Sequence, residues 1–207
     1  MFIFIFFFQF ILLEQVNGTI FTKPFVEKPL NADDHNINIY YHSSQGGGCR
    51  KLFRKVDNKS SEFFQEVNEV RKNKSYMYER FMETKDMKDV KVYMVGDRDK
   101  IKYKDDDPFF VHAEQRKAPS VDGIVERQEN GLEKRELVDL TSQEIEICKK
   151  ILVGFEQSIC GFDFLRVTGS DGFTSLVNDV NGFSNVKNEP KFYDKVSEIL
   201  SNKLHVK

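Results

Sequence analysis

Short runs in which apolar and polar residues alternate recur along the chain, and this period of two is typical of half-buried β-strands. Residues 37–41 and 89–95 show the pattern clearly. In the second run, positions 90, 92 and 94 are predicted to share one face of a strand, and positions 91, 93 and 95 the opposite face. Asn17-Gly18 lies between further β-rich residues and predicts a hairpin turn.

Two helical periods occur late in the chain. The segment Thr141-Ser142-Gln143-Glu144 fits a capping box, and apolar residues that include Ile159 follow it at three- and four-residue steps. Gly161 is predicted to end this helix, and a second helix is predicted from Asn188. Residues 57–75 show no clear period and are predicted to be a loop. Many strands with two late helices predict an α+β protein with a largely antiparallel sheet.

The composition indicates a globular protein in which any anion site is a local cluster. The 207 residues are 40% hydrophobic, and the formal net charge is −2. Nucleic acids and anionic membrane surfaces are bound by broad basic fields, so this charge argues against both as partners. Cys49, Cys148 and Cys160 are odd in number and lack metal-like spacing, which indicates a reducing compartment, the cytoplasm.

Residues 1–13 are strongly apolar and aromatic. They lack the basic start and the small-residue cleavage site of a signal peptide, and the run is too short to span a bilayer. We interpret them first as a non-native start from a truncated or mis-joined coding sequence. The second interpretation is a buried or partner-covered strand, and the third is a membrane anchor.

The densest candidate chemistry lies on two adjacent apolar runs, 162–167 and 173–180, which flank a Gly-containing turn and predict a hairpin. Side chains two apart on a strand point the same way, so Asp179 and Asn181 are predicted to share a face that Asp163 meets from the partner strand. Two carboxylates and an amide oxygen suit magnesium in a phosphoryl-transfer site. Asp and Asn near a strand end are also common turn formers, and the motif alone leaves that alternative open.

A triple glycine, Gly46-Gly47-Gly48, precedes the basic segment 49–56. Backbone N–H groups of such a loop can cradle phosphates, whereas a plain hairpin turn is the alternative that the residues favour. The P-loop pattern is absent. Arg54 and Lys55 within the segment fit a solvated strand face on composition alone.

Long segments of the chain resemble the kinase domain of the diphosphoinositol pentakisphosphate kinases, the family that pyrophosphorylates inositol hexakisphosphate. The similarity runs from about Gln15 to Asn202. The matching segments are KPFVEKP at 23–29, DDHNINIYY at 33–41, GGGCRKLFRK at 46–55, SYMYERFM at 75–82, DVKVYMVG at 89–96, HAEQRKAP at 112–119, DGIVER at 122–127, CGFDFLR at 160–166 and DVNGFSNVKN at 179–188. Segments of this length are far more specific than a short motif.

The resemblance implies an ATP-grasp fold of the α+β class, in which two subdomains of mostly antiparallel sheets with flanking helices clasp ATP. It implies a partial kinase domain at 14–204, divided into roughly 14–88 and 89–204, after a non-family extension at 1–13. The implied reaction is ATP-dependent phosphoryl transfer to a phosphate of inositol hexakisphosphate or diphosphoinositol pentakisphosphate. ATP and Mg²⁺ are the implied cofactors, and a small inositol polyphosphate is the implied partner.

Residue roles also follow from the resemblance. The implied ATP-binding residues are Lys28, His35, Arg54, Glu79, Phe81, Met82, Asp89, Lys91, Asp163, Asp179 and Asn181. The implied substrate-binding residues are Arg54, Lys55, Lys91, Arg116, Arg127, Arg135, Ser184 and Lys187. The implied catalytic residues are Lys91, Arg127 and Arg135, and the implied metal ligands are Asp163, Asp179 and Asn181.

The chain also departs from the family. By comparison with the family, we expect this chain to lack the N-terminal α/β lobe, which a longer gene product would supply, and to lack the phosphatase-like domain that follows the kinase in many members. Arg80 replaces an acidic residue at the hinge that resembles an adenine-reading segment. The charged residues 97–107 are predicted to be a solvated, inserted loop.

Two other functions stay open on the sequence. An ATP-grasp carboxylate–amine ligase would share the fold and the metal motif, but the cationic residues implied for the substrate argue against it. A catalytically weak fragment that binds inositol phosphates or nucleotides is the second alternative, and the intact metal motif favours catalysis over it.

Overall fold

The computed structural model describes residues 13–16, 19–103, 109–169, 172–187 and 189–205 of the chain. The interpretations of residues 1–12 and the predicted helix start at Asn188 lie outside this part. Contacts divide the chain into two compact units. Unit 1 comprises Met1–Met82 with Pro119–Glu133, and unit 2 comprises Glu83–Ala118 with Lys134–Lys207. Residues 119–133 therefore group with the first unit, whereas the division expected at 88/89 would assign them to the second.

A five-stranded antiparallel sheet forms the body of unit 1, and a two-stranded hairpin precedes it. The strands are β1 Leu13–Val16, β2 Thr19–Thr22, β3 Phe25–Pro29, β4 Ile37–Tyr40, β5 Cys49–Val56, β6 Lys59–Phe64 and β7 Tyr76–Arg80. The sheet order is β6-β5-β4-β3-β7. In the hairpin, Val16 pairs with Thr19. The turn predicted at Asn17-Gly18 lies outside the described residues.

The loop predicted at 57–75 is wrong in its first part, because β6 lies there. Its buried residues Ser60 and Ser61 are fixed by distant partners: the Ser60 N–H donates to Gly123 O at 2.8 Å, and the Ser61 hydroxyl donates to Pro119 O at 2.5 Å. Tertiary contacts of this kind leave no local period in the sequence.

A buried carboxylate organises the interior of unit 1. Glu27 on β3 is fully buried and accepts hydrogen bonds from Arg71 Nε at 2.5 Å, the Tyr78 hydroxyl at 3.0 Å and the Tyr40 hydroxyl at 3.2 Å. A buried charge is strongly destabilising unless it is paired and hydrogen-bonded, so these donors make the position tolerable. Lys28, the next residue, points to the opposite face of β3.

Unit 2 contains a second five-stranded antiparallel sheet and three helices. Its strands are β8 Lys88–Val95, β9 Phe110–Lys117, β10 Glu136–Leu137, β11 Ile159–Gly169 and β12 Gly172–Asn181. Its helices are α1 Arg98–Tyr103, α2 Ser142–Gly154 and α3 Pro190–His205. The sheet order is β10-β9-β8-β11-β12. The two antiparallel sheets and the helices confirm the α+β class.

The central strand β8 has the two faces that its alternation predicts. Positions 90, 92 and 94 belong to an apolar cluster with α2, and positions 93 and 95 belong to a second cluster with α3. Position 91 therefore shares the α3 face. In the described part of the chain, no helix is long and apolar enough to cross a membrane.

One helix prediction and one loop prediction need correction. Helix α2 starts with the predicted capping box at Thr141 but ends at Gly154, and Ile159 is already the first residue of β11, paired with Val95. Ile159 has the spacing expected for the apolar face of a helix, but in the structure it pairs with β8. Within the predicted loop at 97–107, α1 forms, and its Ile101 is buried in the cluster that includes α2.

A second buried carboxylate ties α2 to the sheet of unit 2. Glu144 is 1% exposed and accepts from Arg166 at both oxygens, at 2.8 and 2.7 Å, and from the Ser175 hydroxyl at 2.6 Å. Its carboxylate also accepts from the Thr141 N–H at 2.9 Å, which completes the capping box. Burial alone would raise the pKa of Glu144, but the hydrogen bonds from Arg166, Ser175 and Thr141 outweigh it, so the pKa is lowered.

We predict that Glu144→Gln lowers the free energy of unfolding of the chain by about 3 kcal/mol at pH 7, because it leaves the Arg166 charge without its buried partner. A carboxylate with a lowered pKa in the folded state stabilises above its unfolded pKa and loses this effect as the pH falls. The difference between wild type and variant should therefore be complete above pH 4.5, the ordinary value, and shrink below it. Urea denaturation at several pH values measures it.

The matched control is Glu146→Gln on the same helix, whose side chain is exposed and pairs with Lys149. It should change the unfolding free energy by less than about 0.5 kcal/mol. Equal effects of the two substitutions, or a Glu144→Gln difference that does not depend on pH, would contradict the role assigned to the buried network.

Candidate functional site

A stripe of polar and charged residues crosses one face of the unit 2 sheet. The opposed pairs on β8 and β9 are Asp89 with Arg116, Lys91 with Glu114, and Tyr93 with His112. On the other side of β8, Lys91 lies opposite Asp163 of β11. Directly opposed residues of antiparallel strands point to the same face. The face thus changes from apolar, where α3 covers Val95, to charged at the beginning of β8.

A cavity of about 260 Å³ opens on this face. Five residues that were predicted as site residues line it, namely Lys91, Arg135, Asp163, Asn181 and Ser184. The lining combines cations, a carboxylate and neutral polar groups. Such a mixture suits a phosphorylated ligand whose charge is shared between basic side chains and a metal ion.

An ion pair between the two central strands lies in this cavity. Lys91 Nζ donates to Asp163 Oδ1 at 2.7 Å and to Asp163 Oδ2 at 3.0 Å. Both side chains are largely buried, with 22% and 14% exposure. Because one ammonium group contacts both carboxylate oxygens, a cation that binds Asp163 must share these oxygens with Lys91 or displace it.

A β-bulge shapes the candidate metal ligands on β12. The register passes from Gly161 opposite Asn181 to Asp163 opposite Asn178, which places one more residue on β12 than on β11. Asp179 lies in this bulge with a φ of 51°, a left-handed conformation that Asp tolerates better than most residues. Asn181 Nδ2 donates to Asp179 O at 2.8 Å and to Asp179 Oδ2 at 3.3 Å. The bulge replaces the simple alternation that we expected, yet Asp179 and Asn181 remain in contact.

The donor set of Asp163, Asp179 and Asn181 fits a hard divalent cation, since its groups are carboxylate and amide oxygens. Asp163 and Asn181 line one cavity, and Asp179 contacts Asn181. Among the described residues, no group of three or more His, Cys, Asp or Glu side chains is arranged to hold a metal ion. The set of Asp163, Asp179 and Asn181 is not a group of this kind, because its third member is an amide. Its role in metal binding stays a prediction.

Arg135 reaches the cavity from the segment that precedes β10. Its Nη1 donates to the Tyr93 hydroxyl at 2.9 Å and to Glu114 Oε2 at 3.0 Å. A hydrogen bond with His112 and the bonds from Arg135 lower the pKa of Glu114 although burial opposes them. Glu114 is therefore a carboxylate at neutral pH.

The candidate nucleotide residues of unit 1 lie on β3, β5, β7 and the adjoining turns. Lys28 Nζ contacts Glu79 at 2.5 Å, and Arg54 Nη2 donates to Asp33 O at 3.3 Å. His35 is exposed in the turn before β4. In the predicted hinge, the Phe81 N–H donates to Pro24 O at 3.3 Å, and Met82 ends the first part of unit 1.

Arg127 and Lys55 hold the 119–133 segment within unit 1. Arg127 donates to Asn58 Oδ1 at 2.5 Å, to Asp57 O at 2.6 Å and to Gly131 O at 2.8 Å, and Lys55 forms an ion pair with Glu133. Both side chains therefore stabilise contacts within unit 1. Their predicted part in substrate binding would have to coexist with these bonds, and it stays a prediction.

Two further predicted substrate residues belong to unit 2. Arg116 faces Asp89 across β8 and β9, with 4.0 Å between Nη2 and Oδ2. Lys187 is exposed between β12 and α3. Neither residue lines the cavity described above.

The triple glycine forms a turn. Gly46 N–H donates to Ser43 O at 3.0 Å, Gly47 N–H to His42 O at 3.0 Å and Gly48 N–H to Asn68 Oδ1 at 2.7 Å. All three glycines have positive φ angles, from 70° to 94°, which explains why glycine is needed. Because each N–H already has an acceptor in the chain, the structure favours the turn over a phosphate cradle.

Sequence reasoning missed Tyr93, Asn185 and Gly161 as lining residues of the cavity. Tyr93 could have been found, since it lies two residues from Lys91 on β8 and therefore points to the same face of the sheet. Gly161 has a spatial role that no spacing reveals: a Cβ atom there would lie 2.5 Å from Ser184 Oγ and 2.7 Å from Ser184 Cβ.

The fold and the cavity together define an α+β protein whose cavity is lined by basic side chains, a carboxylate and neutral polar groups. The chain is 50% identical over 190 residues, 92% of its length, to the inositol hexakisphosphate and diphosphoinositol-pentakisphosphate kinase of Caenorhabditis elegans. It is 50% identical over 188 residues to kinase 2 of the same description from Homo sapiens and 50% identical over 186 residues to the Saccharomyces cerevisiae kinase.

The chain spans 13%, 14% and 15% of these three proteins, in that order. No protein-family model matches it. Over the stretch that it shares with them, the chain is a relative of the inositol hexakisphosphate and diphosphoinositol-pentakisphosphate kinases, which confirms the family resemblance seen in its sequence.

We predict that Gly161→Ala weakens anion binding at the cavity by about tenfold or more, because the added methyl group meets Ser184 at a distance that real contacts do not show. Calorimetric titration with pyrophosphate measures the affinity. The matched control is Gly154→Ala at the end of α2, where a Cβ meets nothing within 4 Å. Unchanged pyrophosphate affinity in a folded Gly161→Ala variant would contradict the assignment of this cavity.

Proposed function

We propose that the chain carries part of the active site of an ATP-dependent kinase that phosphorylates a phosphate group of inositol hexakisphosphate or diphosphoinositol pentakisphosphate. The observation that carries this proposal is the meeting of Lys91, Arg135, Asp163, Asn181 and Ser184 at one cavity of unit 2. The kinase relatives support the substrate class. An ATP-grasp fold and a cytosolic location belong to the same proposal.

Binding an inositol polyphosphate requires several converging cations, because its phosphates repel one another. Arginine offers two parallel N–H donors to a phosphate, and lysine offers a compact point charge. Lys91 and Arg135 provide one of each at the cavity. We assign Arg116, Lys187 and Ser184 of unit 2 as further substrate contacts. Arg54, Lys55 and Arg127 of unit 1 keep the substrate-binding role that the family resemblance implies.

Asp163, Asp179 and Asn181 would hold Mg²⁺. When bound there, the ion neutralises negative charge that develops on the transferring phosphoryl group. Lys91 donates two hydrogen bonds to Asp163, so its ammonium group lies beside the carboxylate that would hold the ion. Its remaining role is to donate to an anionic phosphate oxygen and to stabilise the charge of the transition state.

The chain needs no general base for this reaction. The attacking group is a phosphate oxygen, and a phosphate is deprotonated near neutral pH. Catalysis then consists of in-line positioning and charge neutralisation, which fixed cations supply. For the nucleotide we assign Lys28 and His35 to the phosphates, Glu79 with Phe81 and Met82 to the adenine, and Asp89 to the ribose.

The direct test is to incubate the purified chain with ATP, Mg²⁺ and inositol hexakisphosphate and to follow the phosphorus NMR spectrum. We expect new pyrophosphate resonances on the inositol together with ADP. Binding of inositol hexakisphosphate without transfer would favour the alternative of a binding fragment. Formation of an acyl phosphate from a carboxylate substrate would favour a ligase and contradict the proposal.

We predict that Asp179→Asn lowers phosphoryl transfer by about 100-fold or more, because a metal ion contributes several kcal/mol of charge stabilisation and each 1.36 kcal/mol is tenfold in rate. The substitution keeps a residue that tolerates the left-handed backbone, so the bulge should persist. The control is Asp194→Asn, which removes the same charge from an exposed position of α3. Transfer by Asp179→Asn at the wild-type rate would exclude Asp179 as a ligand.

A further inference from the structure

A row of polar contacts runs across unit 2 and ends at the cavity. Its members, in order, are Glu189, His112, Glu114, Arg135 and Tyr93. Only Arg135 of this row was assigned a role above. The other members occupy β8, β9 and the residue that precedes α3, so the row connects the cavity to the beginning of α3.

The guanidinium group of Arg135 is fixed at one end. Its Nη1 carries two hydrogens, and their acceptors are the Tyr93 hydroxyl and Glu114 Oε2. Tyr93 is itself held, because its ring is 8% exposed and packs edge-on against Phe192 of α3. A planar group with two fixed acceptors at one nitrogen presents its other edge in a defined direction.

The Glu114 carboxylate is fixed in turn. His112 Nε2 lies 3.2 Å from Glu114 Oε1, on the oxygen that does not bind Arg135. His112 Nδ1 lies 3.6 Å from Glu189 Oε2, and its side chain is 9% exposed. Each carboxylate oxygen of Glu114 therefore has its own partner, and the side chain, 14% exposed, has little freedom to rotate.

We propose that Glu114 is a positioning residue, held by His112, that orients Arg135 toward the phosphate groups of the substrate. The proposal rests on the proposed function, since it takes Arg135 as a substrate contact. Glu114 itself touches no substrate. The negative charge of Glu114 disfavours a polyphosphate ligand, but its hydrogen bond fixes the orientation of the Arg135 guanidinium group.

Removing Glu114 should change the affinity for inositol hexakisphosphate in opposite directions, depending on whether Glu114 positions Arg135 or acts only through its charge. A carboxylate beside a polyphosphate site repels the ligand, and at short range this repulsion is substantial. If charge alone mattered, removing Glu114 would strengthen binding of inositol hexakisphosphate. If Glu114 orients Arg135, removing it weakens binding, because the guanidinium group must then be ordered by the ligand at a cost in side-chain entropy.

The experiment compares Glu114→Ala and Glu114→Gln of the full chain, with Glu136→Ala as a charge-matched control on β10. Calorimetry measures the affinity for inositol hexakisphosphate and, separately, for ATP with Mg²⁺. The Nε–Hε resonance of Arg135 in ligand-free protein, assigned with Arg135→Lys, reports whether the guanidinium group is ordered. Neither a loss of fold nor a change in net charge alone would produce the expected combination.

We expect Glu114→Ala to weaken inositol hexakisphosphate binding by about tenfold, with less than about twofold change for ATP and a mobile Arg135 resonance. Glu114→Gln keeps an acceptor for Arg135 and should recover most of the affinity. Glu114→Ala in an Arg135→Ala background should cost nothing further. If Glu114→Ala does not fold, Tyr93→Phe, which deletes only the second acceptor, should give a loss of about threefold with the same selectivity.

Tighter or unchanged binding by Glu114→Ala would overturn the positioning role and leave the proposed function intact. An ordered Arg135 in that variant would overturn it as well. Absence of inositol hexakisphosphate binding by the wild-type chain, with Arg135 ordered in it, would overturn the proposed function and with it the substrate that Arg135 is oriented to meet.

Discussion

The ion pair between Lys91 and Asp163 joins the two strands around which unit 2 is built. Lys91 lies on β8 and Asp163 on β11, the central pair of a five-stranded sheet. A half-buried pair of this kind is maintained only when its geometry is good and its remaining bonding capacity is used. That requirement explains why other polar groups gather beside it: the carboxylate needs further partners, and the face that carries it cannot be covered by an apolar helix.

The two faces of the unit 2 sheet differ in composition. One face packs an apolar cluster on α2, whose N-terminus is tied to β11 and β12 by the buried Glu144. The other face is apolar only where α3 covers it and becomes charged beyond the helix. The cavity lies on this second face. The apolar cluster with α2 and the charged residues Lys91 and Asp163 thus lie on opposite faces of the sheet.

The sequence predicted the parts of this arrangement that depend on local pattern. The alternation of residues 89–95 placed Lys91 and Tyr93 on one face, and the capping box placed the start of α2. The parts that were missed depend on partners far away in the chain. Strand β6 pairs with β5, and its buried residues Ser60 and Ser61 bond to residues near 120. Ile159 has a helical spacing but pairs with Val95 in a strand.

The candidate site was predicted unevenly for the same reason. The types of residue near 163 and 179–181 indicated a cation site, but the bulge that brings Asp179 into a left-handed conformation follows from strand register, which no single segment encodes. Arg135 and Glu114 are separated in the sequence and meet only because β10 pairs with β9. The family resemblance predicted Arg135, whereas its contact with Glu114 follows from the three-dimensional fold.

The proposed function requires that phosphate groups of an inositol polyphosphate occupy the unit 2 cavity beside Lys91. A crystal structure of the chain with inositol hexakisphosphate and Mg²⁺ tests it most directly. We predict a phosphate within hydrogen-bond distance of Lys91 Nζ and of Arg135, and metal density between Asp163 and Asn181. A ligand bound instead on an exterior basic surface, with the Lys91–Asp163 pair unchanged and no metal beside it, would contradict the account.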